Sequence, residues 1–170
     1  MGVPGVVTLV ETGLRLDDGT VLTFGEDGDM AVSALTGVLG APDDDSGFVT
    51  TDFCAGVATR FLRWGALEVV IDRWSDDTTT FGQWDATGSR PPPGLVAIDG
   101  LGVGATVGFL EVTYGPALTI APAVEGSPEG LFAVTNSVSG GEIVGLTTGL
   151  EPEDTVVELW AGDSCPRVFT

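Results

Sequence analysis

The residue types that could carry out catalysis in this chain of 170 residues are limited to carboxylates and one tyrosine, Tyr114. The sequence contains no His, and all six of its basic residues are Arg, so it contains no Lys either. Histidine provides the base of Ser-His-Asp triads and a ligand of most zinc sites, while lysine provides Schiff bases and the cation of phosphate-binding loops. The composition excludes these chemistries, and we therefore expect neither an enzyme nor a bound cofactor.

Acidic residues occur in short runs at 43–45, 76–77 and 151–154. Two carboxyl groups of different pKa can hydrolyse glycosides, but an exposed turn such as 76–77 does not separate the pKa values of its neighbours. Loop carboxylates can also bind Ca²⁺, although neither longer run has the spacing of a twelve-residue EF-hand loop. Asp43, Asp44 and Asp45 are weak candidates for a cation site, and a hydrated loop is the plainer interpretation.

The chain is strongly acidic, with 25 Asp and Glu residues against six Arg and a formal net charge of −19 at pH 7. Such a molecule repels DNA, RNA and anionic lipid. Two interpretations remain open: the charge keeps the protein soluble, for example in a salt-rich habitat, or an acidic face attracts a basic partner or Ca²⁺. Hydrophobic residues make up 43% of the sequence, which is enough for a packed interior.

The sequence contains two cysteines, Cys54 and Cys165. Two cysteines can form one disulfide, but they can also be unrelated thiols. Both are flanked by turn-forming residues, in Asp52-Phe53-Cys54-Ala55-Gly56 and Gly162-Asp163-Ser164-Cys165-Pro166, and turns suit a cross-link better than a buried thiol. We predict a disulfide between them, which would indicate an exported protein.

One apolar pattern occurs twice, with an offset of 75 residues from Val32 to Val107. Each copy is an apolar stripe at helical spacing that ends at a glycine, Gly40 or Gly115, with a proline nearby. Asp27 to Asp29 can cap the first stripe and Thr106 the second. The pattern predicts two short helices in related surroundings.

Strands are predicted before and after each helix from alternating polarity and turn residues. Asp17-Asp18-Gly19-Thr20 indicates a hairpin between apolar runs, and 43–47 a solvated loop. The strands predicted after the helices lie at 57–63, 67–74, 81–84, 118–121, 131–136, 143–148 and 156–160.

The chain is therefore predicted to be an α+β protein of two tandem repeats, each a short helical segment packed on an antiparallel sheet. The first repeat covers 1–88 and the second 95–170. A proline-rich linker at 89–94 separates them.

Motifs along 21–165 resemble those of a group of uncharacterised exported actinobacterial proteins, many of them lipoprotein-like. They include Phe24-Gly25, Leu39-Gly40-x-Pro42, Asp45-Ser46-Gly47-Phe48, Cys54-x-Gly56, Arg63-Trp64-Gly65-x-Leu67, Phe81-x-x-Trp84, Asp99-Gly100-x-Gly102-Val103-Gly104-x-Thr106, Tyr114-Gly115, Asp154-Thr155-Val156 and Gly162-x-x-Cys165. The duplicated plan is also similar to the β-lactamase inhibitor protein (BLIP-like) fold, and more distantly to the outer-membrane assembly lipoprotein fold. In the inhibitor family a concave sheet made of two repeats grips an enzyme through aromatic side chains and a loop carboxylate. The cysteines depart from that family, because they suggest one link between halves instead of one within each.

Aromatic residues are concentrated in the strands of the first half, and aromatic side chains dominate interface hot spots. The alternative is that they fill the space between sheet and helix. Tyr114 takes the place of Leu39 in the second stripe, where its ring can pack at the helix end with the hydroxyl at the rim. The residues predicted to bind a partner are Trp74, Phe81, Trp84 and Tyr114.

These observations favour a secreted or cell-surface, non-catalytic binding protein. Its partner would be a protein or an envelope component, and an inhibitor of a secreted hydrolase is one form of this function. The alternative is a structural subunit of an extracellular homo-oligomeric assembly. No apolar run approaches the length of a membrane-spanning helix. Met1-Gly2-Val3-Pro4 lacks the basic start of a signal peptide, so any lipid anchor would have to come from a removed leader.

Overall fold

The computed structural model describes residues 7–87, 95–97 and 99–165. The described part of the chain is α+β, with two sheets of four and eight strands and two short helices. The predicted linker at 89–94 lies outside the described residues.

The small sheet contains the predicted hairpin. Its strands follow the spatial order β3-β2-β1-β8, and β8 pairs in parallel with β1 while the other pairs are antiparallel. In the hairpin turn the N–H of Leu16 donates to the carbonyl of Thr20 and the N–H of Gly19 donates to the carbonyl of Leu16, and Gly19 takes a positive φ of 88° that favours glycine. The strands are β1 (Val7–Val10), β2 (Gly13–Leu16), β3 (Val21–Thr23) and β8 (Val96–Ala97). The first and last of these were not predicted from the sequence.

Both predicted helices are confirmed, with the predicted caps. Helix α1 spans Gly28–Leu39, and the carboxylate of Asp27 accepts a hydrogen bond from the backbone N–H of Met30 at 3.0 Å. Helix α2 spans Val107–Tyr114, and Thr106 Oγ1 accepts from the N–H of Phe109 at 3.0 Å. A 3₁₀ turn at Gly115–Ala117 follows α2, because proline at 116 cannot continue the helix.

The large sheet is antiparallel throughout and takes four strands from each half of the chain. Its order is β4-β5-β6-β7-β12-β11-β10-β9, so each helix is followed by a four-stranded meander. The two meanders join through their last strands, β7 and β12, where Trp84 lies opposite Ala161. The strands are β4 (Asp44–Val49), β5 (Ala58–Trp64), β6 (Leu67–Arg73), β7 (Thr79–Thr87), β9 (Leu118–Pro122), β10 (Gly130–Thr135), β11 (Glu142–Thr147) and β12 (Val156–Gly162).

The prediction of a solvated loop at 43–47 is wrong, because Asp44–Val49 form the edge strand β4. A register irregularity lies between Asp45 and Phe48, and the glycine between them has a φ of 63°. The acidic side chains nevertheless stay exposed, since an edge strand has a solvated side. The acidic composition therefore predicted the exposure of these side chains correctly, but the backbone forms a strand and not a loop.

One continuous hydrophobic core fills the space between the large sheet, both helices and the small sheet. It takes fully buried side chains from every one of these elements, so the two halves of the chain share it. None of the helices in the described ranges is long and apolar enough to cross a membrane. The largest buried side chains include Trp84, Phe81, Phe132, Leu9, Leu35 and Leu110.

Candidate partner-binding site

Two of the predicted partner-binding residues, Phe81 and Trp84, are core residues with no exposed surface. Phe24 stacks on the Phe81 ring at a centroid distance of 4.9 Å, and the indole of Trp84 donates a hydrogen bond to the carbonyl of Val10. Strand alternation turns Gln83, the neighbour of Trp84, to the opposite face of the sheet. Strand alternation separates Trp84 from Gln83, but it does not say which face of the sheet is covered by other elements. The face that carries Trp84 is the one that packs into the core.

Trp74 is different, because it lies at the surface with 36% of its area exposed. Its indole Nε1 donates to Thr80 Oγ1 at 2.9 Å, which fixes the ring at the end of β6. The backbone N–H of Val57 donates to the carbonyl of Arg73 at 2.9 Å, and this bond places Val57 beside Trp74 across the strand pair. Val57 is itself 54% exposed.

Further apolar side chains are exposed at the same end of the sheet. Phe53 is 60% exposed on the loop that leads into β5, and Val49 is 38% exposed at the end of β4. We call Val49, Phe53, Val57 and Trp74 the apolar patch. Sequence reasoning selected Trp74 alone, because isolated Val and Phe residues in a loop carry no periodic signal.

The predicted disulfide is confirmed, and it ties the loop of the apolar patch to the C-terminal end of β12. Cys54 and Cys165 are bonded across 111 residues of sequence. The N–H of Ala55 donates to the carbonyl of Ser164 at 2.6 Å, and the N–H of Cys165 donates to Gln83 Oε1 at 2.9 Å. The disulfide and the Ala55 hydrogen bond therefore hold the loop against the segment after β12, and the Cys165 hydrogen bond holds that segment against β7.

A buried polar cluster lies directly beneath this link. The hydroxyl of Ser164 donates to the carboxylate of Asp72, which also accepts from Thr59 Oγ1 at 3.4 Å. Asp72 is 1% exposed and Ser164 4% exposed, so no substrate reaches this hydroxyl–carboxylate pair. The cluster holds the segment after β12 against the sheet, and the chain has no imidazole to activate the serine.

The surroundings of the apolar patch are acidic. Asp52, Asp76 and Asp77 are exposed in the adjoining turns. Hydrogen bonds from Thr78 lower the pKa of Asp76, so this carboxylate stays ionised well into the acidic range. This end of the sheet therefore has an apolar centre bordered by acidic residues.

The three weak cation-site candidates have separate partners. Asp43 accepts from the N–H of Gly65 at 2.6 Å, and Asp45 receives two hydrogen bonds from the guanidinium of Arg60. This pair lowers the pKa of Asp45 to about 2. Asp44 accepts from the N–H of Asp45 at 3.0 Å. Within the described ranges, no three His, Cys, Asp or Glu side chains are grouped so that they could hold a metal ion.

Tyr114 is not part of this patch and lies at the border of an open cleft between the small sheet and the second meander. The cleft has a volume of about 380 Å³ and is also bordered by Arg15, Asp99 and the turn residue Asn136. Burial, and then the adjoining carboxylate of Asp99, raise the pKa of the Tyr114 phenol far above its usual value. The phenol therefore remains protonated and acts as a hydrogen-bond donor.

The structure thus separates the four predicted residues into core (Phe81 and Trp84), apolar patch (Trp74) and cleft (Tyr114). Comparison of the chain with protein-family models, with curated proteins and with solved structures finds no match in any of the three.

Proposed function

We propose that this chain is an exported, non-catalytic binding protein that contacts a protein partner through the apolar patch. The observation that carries the proposal is the exposure of four large apolar side chains, between 36% and 60% each, at one end of the sheet. Contiguous exposed apolar surface marks interaction sites, and Trp is enriched among the residues that dominate binding energy.

The support beneath the patch favours binding. The disulfide and the backbone hydrogen bonds of Ala55 and Val57 hold the loop that carries Phe53 and Val57. A loop that is already ordered loses little conformational entropy when a partner binds. The Trp74 ring is likewise fixed by its bond to Thr80.

Charge selects the class of partner. The patch is bordered by Asp52, Asp76 and Asp77, and the whole chain carries a net charge of −19. Interfaces combine an apolar centre with a polar rim, and opposite charges on the rims accelerate association. The partner is therefore a protein with an apolar centre inside a basic rim, and a basic secreted hydrolase held by an inhibitor would fit.

We also propose that the chain arose by tandem duplication and has a BLIP-like plan, with units at 1–88 and 95–170. Each helix cap forms an isolated bridge to a late strand position, Asp27 with Thr80 and Thr106 with Thr155. The offset from Thr80 to Thr155 is 75 residues, the same as the offset of the apolar stripes, whereas the caps Asp27 and Thr106 are 79 residues apart. The shared offset and the order of helix and four strands in each half are what a duplicated gene would leave.

The proposed location is outside the cell. Disulfides persist in oxidising compartments, and a bond that anchors the end of the chain is structural. Secretion or attachment to the cell surface would both satisfy this requirement.

Affinity capture from the extracellular fraction of the source organism tests the proposal. The bait variants are the wild type, a patch variant with Phe53→Ser, Val57→Ser and Trp74→Ser, and a control with Val112→Ser and Val138→Ser. The two control valines are 89% and 94% exposed outside the patch, so they match the change in polarity. Circular dichroism verifies that each bait is folded.

The expected result is a protein retained by the wild type and the control, lost by the patch variant, and released as ionic strength rises. Purified, that protein should bind the wild type with 1:1 stoichiometry. If every captured protein also binds the patch variant, or if none is captured, the proposal fails.

The alternative function is a subunit of an extracellular assembly, in which identical copies would pack through the same faces or pair through open sheet edges. Within the described ranges β4 and β9 are the two edges of the large sheet. β4 carries exposed Asp44 and Asp45, and β9 ends at Pro122, and both features oppose pairing between copies. Light scattering of a concentrated sample separates the two functions, and we expect a monomer.

A further inference from the structure

We propose that the Cys54–Cys165 disulfide controls the apolar patch: the patch is complete in the oxidised chain, whereas in the reduced chain the loop at 50–57 opens and carries Phe53 away. The inference rests on the proposed function for the role of the patch. It adds a regulation by redox state that the proposed function does not itself require.

The loop at 50–57 joins β4 to β5 and has little packing of its own. Within this described segment no side chain belongs to the hydrophobic core. Its large apolar residues, Phe53 and Val57, are 60% and 54% exposed. Segments with few buried apolar contacts are the ones that open locally while the remainder of a fold stays closed.

The middle of the loop is held by two links to the same short segment. Cys54 is bonded to Cys165, and the N–H of Ala55 donates to the carbonyl of Ser164 at 2.6 Å. When the S–S bond is broken, the hydrogen bond of Ala55 remains. One such bond makes only a small net contribution, because water replaces it when the loop opens.

The two sides of the disulfide differ in how firmly they are held without it. The hydroxyl of Ser164 donates to the carboxylate of Asp72. The N–H of Cys165 donates to Gln83 Oε1 at 2.9 Å, and the side chains of Ser164, Asp72 and Gln83 are buried. On the other side, the residues before and after Cys54 are exposed. Breaking the bond therefore releases the loop and leaves the segment after β12 in place.

The closed position of the loop also buries a polar group unfavourably. The hydroxyl of Thr51 is buried and has no hydrogen-bond partner among the described residues. A buried polar group without a partner is destabilising, and opening of the loop would return this hydroxyl to water. The disulfide therefore holds the loop closed against a group that favours the open state.

Opening of the loop would divide the apolar patch. Trp74 is fixed by its indole hydrogen bond, and Val57 by its bond to the carbonyl of Arg73, so both stay in place. Phe53, the most exposed member of the patch, lies in the middle of the loop and would move away. A partner would then meet a smaller apolar surface and would have to order the loop, and both effects weaken binding.

The chemistry of this control is thiol–disulfide exchange. On closing, the thiolate of one cysteine attacks the S–S bond of a disulfide oxidant, and the second cysteine then displaces the oxidant from the mixed disulfide. The two protein thiols lose two electrons and two protons, which convert the oxidant into two thiols. A dithiol reductant reverses these steps. A chain in a reducing compartment would thus lack the complete patch until it is exported.

Hydrogen exchange of the full chain, followed by mass spectrometry, tests the control of the loop without a partner. The samples are the oxidised wild type and the Cys54→Ser, Cys165→Ser variant. We expect the amides at 51–56 to exchange roughly tenfold faster in the variant, while β6 and β7 keep their protection. Equal exchange at 51–56 would overturn the proposal. Loss of protection in β6 and β7 as well would also overturn it, because the whole chain would then unfold.

A substitution at position 51 tests the role of the buried hydroxyl. Thr51→Val in the disulfide-free variant replaces the hydroxyl with a methyl group of similar size, and it should slow exchange at 51–56 by about fivefold. Thr50→Val, at the exposed neighbouring position, is the matched control and should change the rate by less than about twofold. Equal rates in the two variants would contradict this account of the loop.

The oxidised wild type and the disulfide-free variant also serve as baits for the extracellular fraction. A protein that the oxidised bait retains through the patch should be lost by the disulfide-free bait. If the oxidised bait retains no protein, the proposed function fails, while the exchange rates still decide whether the disulfide controls the loop. A protein that needs the patch residues and yet binds both baits equally would overturn the control of binding by the disulfide.

Discussion

The indole Nε1 of Trp84 donates a hydrogen bond of 3.0 Å to the backbone carbonyl of Val10, across 74 residues of sequence. This contact fastens the small sheet to the centre of the large one, because Trp84 lies on β7, the strand that joins the two meanders. A tryptophan that the sequence favours for recognition is thus a link between layers of the core.

Replacing Trp84 should therefore reduce stability and not binding. Trp84→Phe removes a buried donor and part of the ring volume, and we expect a loss of about 2–3 kcal/mol in the free energy of unfolding. Trp74→Phe removes only an exposed hydrogen bond and should cost less than about 1 kcal/mol. Urea unfolding followed by circular dichroism measures both, and equal losses would contradict the assignment of Trp84 to the core.

The helices were predictable because their signals are local. Asp27 and Thr106 cap the first turns, and Gly40 and Gly115 end the last ones, so each boundary is decided by side chains within a few residues. The hairpin at 17–20 is local in the same way.

The features that could not be predicted from the sequence depend on contacts between residues that are far apart along the chain. The parallel pairing of β1 with β8 joins residues near 8 to residues near 96, and no short pattern encodes it. The face of the sheet on which Trp84 lies is set by where α1 and the small sheet pack. The cleft escaped notice because Arg15, Asp99 and Tyr114 come from three separate elements, and only the fold brings them together.

Loss of the disulfide should lower stability strongly. Cross-linking residues separated by 111 positions restricts the unfolded chain, and the chain-entropy model gives a contribution of up to roughly 4–5 kcal/mol. The Cys54→Ser, Cys165→Ser variant should unfold at lower guanidinium concentration than the oxidised wild type. Reductant should lower the wild-type midpoint toward that of the variant and leave the variant unchanged, since the chain has no other cysteine. A wild-type midpoint that does not respond to complete reduction would refute the expectation.

The ion pair of Asp45 and Arg60 should make a small, pH-dependent contribution to the free energy of unfolding. The folded pKa of Asp45 is about 2, below its ordinary value of 3.8, so the pair stabilises the fold above the unfolded pKa and loses its effect as pH falls from about 4 toward 2. The side chains are 34% and 24% exposed, so solvent screening limits the effect to less than about 1 kcal/mol. Asp45→Asn should therefore destabilise slightly at neutral pH and converge with the wild type near pH 2. Denaturant unfolding of both proteins across this range tests the sign, and a difference that grows on acidification would contradict it.

Any side chain at position 82 should destabilise the fold, because Gly82 lies against the Ser164–Asp72 contact beneath the disulfide. A Cβ atom there would collide with Ser164 Oγ and with the carboxylate of Asp72, both of which are buried. We expect Gly82→Ala to cost about 2–4 kcal/mol and to expose the disulfide, so that a mild reductant cleaves it faster. Gly37→Ala is the matched control: the position is in an exposed part of α1 with open space around it, and alanine there should stabilise by about 0.5–1 kcal/mol. Thermal unfolding gives the two stability changes, and thiol release under dilute reductant gives the cleavage rate. Disulfide reduction at the wild-type rate in Gly82→Ala would show that the Ser164–Asp72 contact does not protect the link.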